Sequence, residues 1–233
     1  MADVKRRKFF TESGRWIAGS ALLGVTALGA QQSRTEGKEE EISPAEDLMR
    51  EHGVLNRILL IYDEAVRRLK GAGEFDPAVL VSSAGIIRRF IEDYHEKLEE
   101  DYLFPRFEKA GKLTDLVTAL RAQHRAGRAL TDQIQKLSAA KSLKERAGRS
   151  ELAARLESFN RMYRPHEARE DTVLFPALRS IVSPNEYDSL GEEFEDKEHQ
   201  LFGEEGFERT VDEVAGLEKK LGIYDLARFT PTL

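Results

Sequence analysis

Two stretches of this chain are written in one eleven-residue frame. His95-Glu96-Lys97-Leu98-Glu99-Glu100-Asp101-Tyr102-Leu103-Phe104-Pro105 and His166-Glu167-Ala168-Arg169-Glu170-Asp171-Thr172-Val173-Leu174-Phe175-Pro176 both read H-E-x-x-E-[ED]-x-x-L-F-P, and they lie 71 residues apart. His52 and His124 precede them and lie 72 residues apart. A repeat of that period makes the chain two helical hairpins of one design. On a helix, positions i and i+4 share a face. His95 and Glu99 therefore point one way, as do His166 and Glu170. In a four-helix bundle such residues converge on the axis, and His52 and His124 complete the ring from the other two helices.

The helix signals agree with that plan. Ser43-Pro44-Ala45-Glu46 supplies a capping serine, a proline in the first turn and a glutamate three residues after the cap. Leu48, Leu55, Leu59, Tyr62 and Val66 follow at helical spacing until Gly71 and Gly73. Asp76-Pro77 opens a second helix that ends at Gly111. A third covers about Leu113–Leu137, residues 138–148 read as a loop, and a fourth covers about Ser150–Ile181 with Pro165 expected to kink it or interrupt one hydrogen bond. Ser183-Pro184-Asn185-Glu186 repeats the first start signal and opens a fifth helix, which breaks near Gly203 and Gly206 and resumes to about Leu221. No stretch alternates with a period of two. The predicted fold is all-α: an antiparallel up-down four-helix bundle over 43–181, then a C-terminal helix and tail over 182–233.

Composition narrows the chemistry. The chain has no cysteine, which excludes disulfides, thiolate zinc sites and iron–sulfur clusters, so any metal is held by nitrogen and oxygen. The net charge of −6 argues against nucleic acid as a partner. His52, His95, Glu99, His124, His166 and Glu170 suffice for two metals if each takes two imidazoles and the glutamates bridge. Positions then remain open for water, hydroxide or oxygen. Such a donor set suits iron or manganese, and also zinc. One H-x-x-x-E is commonplace in a glutamate-rich chain, and a lone histidine is usually structural. Two copies in one frame, each preceded by another helical histidine, are neither. His199 is read as structural or solvent-facing. Glu92 and His95 form a ferritin-type E-x-x-H pair, but the second half has Tyr163 at the matching place. Tyr94, Tyr102 and Tyr163 read as packing residues. Glu96 and Glu167 point away from the axis, and most other charges read as solvated helix faces.

His52, H95EKLE99, His124, H166EARE170 and the repeated L-F-P resemble the hemerythrin-like (HHE cation-binding) family over roughly residues 43–180. The resemblance implies a bridged di-iron centre that reacts with oxygen. His52 and His95 would serve one iron, His124 and His166 the other, and Glu99 and Glu170 would bridge. Arg128 stands where the oxygen carriers have a further histidine. Those carriers also use an aspartate five residues after the fourth-helix histidine, and that residue here is Asp171, although the repeat favours Glu170. The set therefore looks more like the iron-sensing or iron-handling members. The expectation is a non-haem di-iron protein with two iron ions, sensing, storing or scavenging iron, oxygen or nitric oxide. Dioxygen or another small molecule would be the ligand at the metals. The alternatives are a di-iron enzyme reducing peroxide, oxygen or nitric oxide, and a structural module with an incidental zinc.

Residues 1–30 have the layout of an export signal. Lys5-Arg6-Arg7-Lys8-Phe9-Phe10 precedes a run of small and apolar residues from Trp16 to Ala30, which is short for a permanent membrane span. Arg6-Arg7 resembles the twin-arginine signal of bacteria, which implies the twin-arginine export machinery as a partner. A retained anchor or an amphipathic helix is the alternative. Residues 31–42 read as a polar linker. The expected location is periplasmic or secreted, with no stable membrane span after signal removal.

Overall fold

Ser43 begins the first helix as its sequence predicts. Its backbone is extended, and its Oγ accepts the Glu46 N–H at 3.3 Å, with Pro44 in the first turn. The computed structural model describes residues 42–71, 73–74, 76–139 and 141–231. The export signal and nearly all of the linker lie outside the described residues.

α1 (Pro44–Lys70) ends where the Gly71 N–H returns to the Arg67 carbonyl. Asp76 Oδ1 accepts from the Ala78 N–H at 2.9 Å and starts α2, over 78–110. α2 is not uniform. It is π-helical at Ile87–His95 and again at Glu99–Leu103, and α-helical elsewhere, until Gly111 closes it at φ 64°. α3 is Thr114–Ser138. The loop expected over 138–148 holds a 3₁₀ turn at Lys141–Lys144, and α4 already starts at Arg146. α4 covers 146–178 and carries one π turn, Glu170–Leu174. Pro165 lies inside its regular stretch, and the irregular turn falls instead just before Pro176.

The π turns account for the repeated L-F-P. A proline inside a helix lacks an N–H, and its ring meets the carbonyl four residues back. In each repeat the residue before the proline bonds five residues back, Phe104 N–H to the Glu99 carbonyl and Phe175 N–H to the Glu170 carbonyl. The wider turn carries the chain past Pro105 and Pro176 without breaking the helix. π turns concentrate at functional sites, and both of these begin on a glutamate of the predicted set.

The four helices pack as an up-down bundle, with α1 and α3 each against α2 and α4. Leu48, Leu55, Ile58, Phe90, Phe107 and Phe159 fill the interior at 0–1% exposure, and each such side chain contributes roughly 1.5–3 kcal/mol. The fifth helix is two: α5 (Pro184–Phe202) and α6 (Gly206–Leu221), separated at Gly203 with φ 79°. They pack on α1, and α6 also on α2. Arg57 clasps Glu218 through two hydrogen bonds, and Arg68 donates to the Leu221 carbonyl. Among the described residues there is no strand, and no helix is long and apolar enough to cross a membrane.

Candidate metal centre

One helix of the bundle supplies each histidine: α1 His52, α2 His95, α3 His124 and α4 His166. α2 adds Glu99 and α4 adds Glu170. All six are buried, at 0–4% exposure. The imidazoles fall into two pairs, His52 with His95 at 4.6 Å between ring centroids and His124 with His166 at 5.1 Å. The glutamates lie between the pairs. Glu170 Oε2 is 3.4 Å from His52 Nε2 and 3.1 Å from His166 Nε2. Glu99 Oε2 is 3.3 Å from His124 Nε2 and 3.9 Å from His95 Nε2. Each carboxylate thus reaches one imidazole of each pair.

The opposite edge of every ring is tied down. His52 Nδ1 donates to Asp171 at 2.7 Å, His95 Nδ1 to Glu51 at 2.7 Å, His124 Nδ1 to Glu100 at 3.1 Å and His166 Nδ1 to Gln123 at 2.9 Å. All four partners are acceptor oxygens, so Nδ1 carries the hydrogen and the Nε2 lone pair faces inward. Phe175 stacks on His52 at 5.4 Å, and Phe104 on His124 at 5.5 Å. The repeated frame now has a physical meaning at each place. Its second glutamate faces the centre, the acidic residue after it holds a histidine of the other hairpin, and its phenylalanine packs on that histidine.

A centre of inward lone pairs and carboxylates needs positive charge. Nε2 of His95 and His124 and all four carboxylate oxygens of Glu99 and Glu170 are buried without a hydrogen-bond partner. An uncompensated buried charge costs roughly 3–5 kcal/mol. Without metal, protons stand in. Burial and the neighbouring Glu170 push Glu99 up to about 8. Burial also opposes ionisation of Glu170, but His166 and His52 outweigh it and hold that carboxyl below its ordinary range. Burial works against a charge on His52 too, yet the Asp171 and Glu170 carboxylates carry it well above the usual imidazole value. His95 is driven well below that value by burial and by His52. Among these six residues, two groups of donor atoms each lie within 4.8 Å of one another: Glu99, His124, His166 and Glu170, and His52, His95 and Glu99. The donors fit two borderline or hard cations held by nitrogen and oxygen.

Several residues behave otherwise than the sequence suggests. Glu96 and Glu167 do point away from the axis, but into the seams between helices and not into solvent, at 1% and 4% exposure. Glu96 accepts from Tyr163 Oη at 2.8 Å and pairs with Arg128 at 2.8 Å. Glu167 accepts from Asn56 at 2.9 Å. Tyr163 is therefore both packing and hydrogen-bonding. Glu92 is held by Thr131 and Arg88, away from the six. His199 is half-buried and belongs to none of the metal-capable groups among the described residues. Glu51 and Gln123 escaped the sequence reading altogether. Their one signal is position, each immediately before the first histidine of its hairpin.

The model of the hemerythrin HHE cation binding domain matches residues 43–178 and, in a second placement, 115–220. Uncharacterized proteins of Mycobacterium bovis and Mycobacterium tuberculosis are 53% identical to this chain over 227 residues, which is 93% of the chain and 89% of each relative. No solved structure matches it. The first placement takes in both hairpins and the whole inward-facing set of histidines and glutamates, and the chain belongs to the hemerythrin HHE cation-binding family.

Proposed function

We propose that this chain is a non-haem di-iron binding protein that senses, stores or scavenges iron, oxygen or nitric oxide. The observation that carries it is the pair of buried carboxylates, each placed against one imidazole of both histidine pairs. His52 and His95 would hold one iron and His124 and His166 the other, with Glu99 and Glu170 shared. Bound iron would supply a Lewis-acidic, redox-active centre with room for a small ligand such as dioxygen. The protein's own part is to fix four imidazoles through their Nδ1 bonds and to keep the centre inside an apolar shell.

Iron content tests this. The purified full chain, loaded under anaerobic conditions, should carry about two iron ions, and less than about one would overturn the reading. His95→Ala and His166→Ala should each lower the content, while His199→Ala should leave it unchanged. Sustained consumption of peroxide by the loaded chain would make it an enzyme instead.

We further propose that residues 1–30 export the chain by the twin-arginine route, on the strength of Arg6-Arg7, Phe9-Phe10 and the apolar run behind them. The full chain expressed in a bacterium should reach the periplasm, and a variant with Arg6→Lys and Arg7→Lys should stay in the cytoplasm. Periplasmic recovery of that variant would exclude the twin-arginine route.

A further inference from the structure

The two halves of the centre are built alike, and the likeness shows where they differ. Phe175, Asp171 and Glu170 of α4 meet His52 as Phe104, Glu100 and Glu99 of α2 meet His124. At two places the residues correspond but their charges do not. Glu51, one residue before His52, holds His95, whereas Gln123, one residue before His124, holds His166. Asn56, four residues after His52, bonds Glu167, whereas Arg128, four residues after His124, bonds Glu96 and Glu100. Both differences leave the His124/His166 half the more positive.

We infer that the two metal positions are unequal. The His52/His95 position keeps its ion, and the His124/His166 position is the exchangeable one, whose occupancy follows the supply of ferrous iron. This rests on the di-iron reading and gives the iron-handling role a location.

Donor strength is the reason. An imidazole whose Nδ1–H is given to a carboxylate is a stronger donor through Nε2 than one bonded to a neutral amide. His52 and His95 both have such carboxylates, each at 2.7 Å. His166 has only the Gln123 amide oxygen, at 2.9 Å. His124 has Glu100 at 3.1 Å, but that carboxylate also serves Arg128 at 2.8 Å and Lys97 at 2.6 Å, so less of its charge is left for the ring. The half-buried Arg128, paired with Glu96 and Glu100, also cancels carboxylate charge beside this position, which the neutral Asn56 does not do for Glu167 in the other half.

Donor count alone ranks the positions the other way, since four donor atoms cluster around His124 and His166 and three around His52 and His95. Yet Glu170 Oε2 is 3.4 Å from His52 Nε2, so both carboxylates are within reach of both positions. With the carboxylates shared, the backing of the imidazoles decides the order.

The test is graded removal of iron. The loaded full chain is equilibrated with rising concentrations of a ferrous chelator, and retained iron and its absorption spectrum are followed. Two steps of release are expected, separated by about 10–100-fold in chelator, the range that an outer hydrogen-bond partner commands in metal affinity. Gln123→Glu should move the weaker step toward the stronger one, and Glu51→Gln should move the stronger step toward the weaker. Two ions leaving in one step would overturn the inference alone. So would a Gln123→Glu variant that keeps two ions and an unchanged separation. A chain that holds no iron would overturn the di-iron reading, and this inference with it.

Discussion

Glu99→Gln should empty the centre of iron without loosening the fold. Glu99 takes part in both groups of donor atoms, so its loss is felt at both positions, unlike the loss of any one histidine. An outer partner of a ligand already commands about 10–100-fold in affinity, and losing a shared carboxylate should exceed that. The metal-free chain should respond differently. Glu99 there is pushed up to about 8 by burial and by Glu170, so at neutral pH it is already protonated and uncharged. Glutamine copies that form in size and charge. Metal-free stability should fall by no more than about 1 kcal/mol, the centre of the range for point substitutions. The same shift fixes the pH dependence. Iron needs the carboxylate, so loading at pH 7 must expel the Glu99 proton, whereas at pH 9 that proton has already gone. Iron affinity should therefore rise with pH up to about 8, by at most about tenfold per unit for this one proton. Loading the parent in weakly buffered solution should acidify it more at pH 7 than at pH 9. Iron retained after gel filtration is the deciding measurement: a Glu99→Gln chain that still elutes with both ions would refute the shared role of this carboxylate.

The part of this centre that could be read in the sequence is the part set by local periodicity. His95 and Glu99 are one turn apart on one helix, and so are His166 and Glu170; the repeat then ties the two helices to each other. What could not be read is what depends on a second helix. Glu51 holds His95 across 44 residues of chain and Gln123 holds His166 across 43, and nothing in their own segments marks them for it. Glu96 and Glu167 show the limit of a helical wheel. It places them off the axis, and so they are, but in a bundle the flanks of each helix are seams between helices, where Arg128, Tyr163 and Asn56 wait as partners. The wheel also assumes one pitch, and the π turns at Ile87–His95 and Glu99–Leu103 change it along α2 itself. Arg128 was legible only as a missing histidine. In the structure it is a cation that neutralises Glu96 and Glu100.

Gly127→Ala should destabilise the protein, although the same change in most helix interiors stabilises by up to about 1 kcal/mol. A Cβ at Gly127 would lie 2.0 Å from Tyr163 Oη, 2.8 Å from Cζ and 3.1 Å from Cε2. The tyrosine has nowhere to go. It is 1% exposed, packs against Phe159 at 4.3 Å between centroids and edge-on against His166 at 5.4 Å, and its hydroxyl is bonded to the buried Glu96. Overpacking of this kind typically costs about 1–3 kcal/mol, and here the rigid ring puts the expected loss at the upper end, as a lower denaturation midpoint of the metal-free chain. Tyr163→Phe alone should cost about 1 kcal/mol, because it removes the hydroxyl from Glu96 and leaves Arg128 as that carboxylate's partner. Placed together, the two changes should destabilise by less than their sum, since Tyr163→Phe takes away the atom that collides most closely with the new methyl group. The coupling should also reach the metal. Moving Tyr163 disturbs the ring packed beside His166, so Gly127→Ala should weaken the more readily released iron before the other. A Gly127→Ala chain as stable as its parent would show that Tyr163 is not fixed against α3. Strict additivity of the two substitutions would show that the hydroxyl is not what fills the space at Gly127.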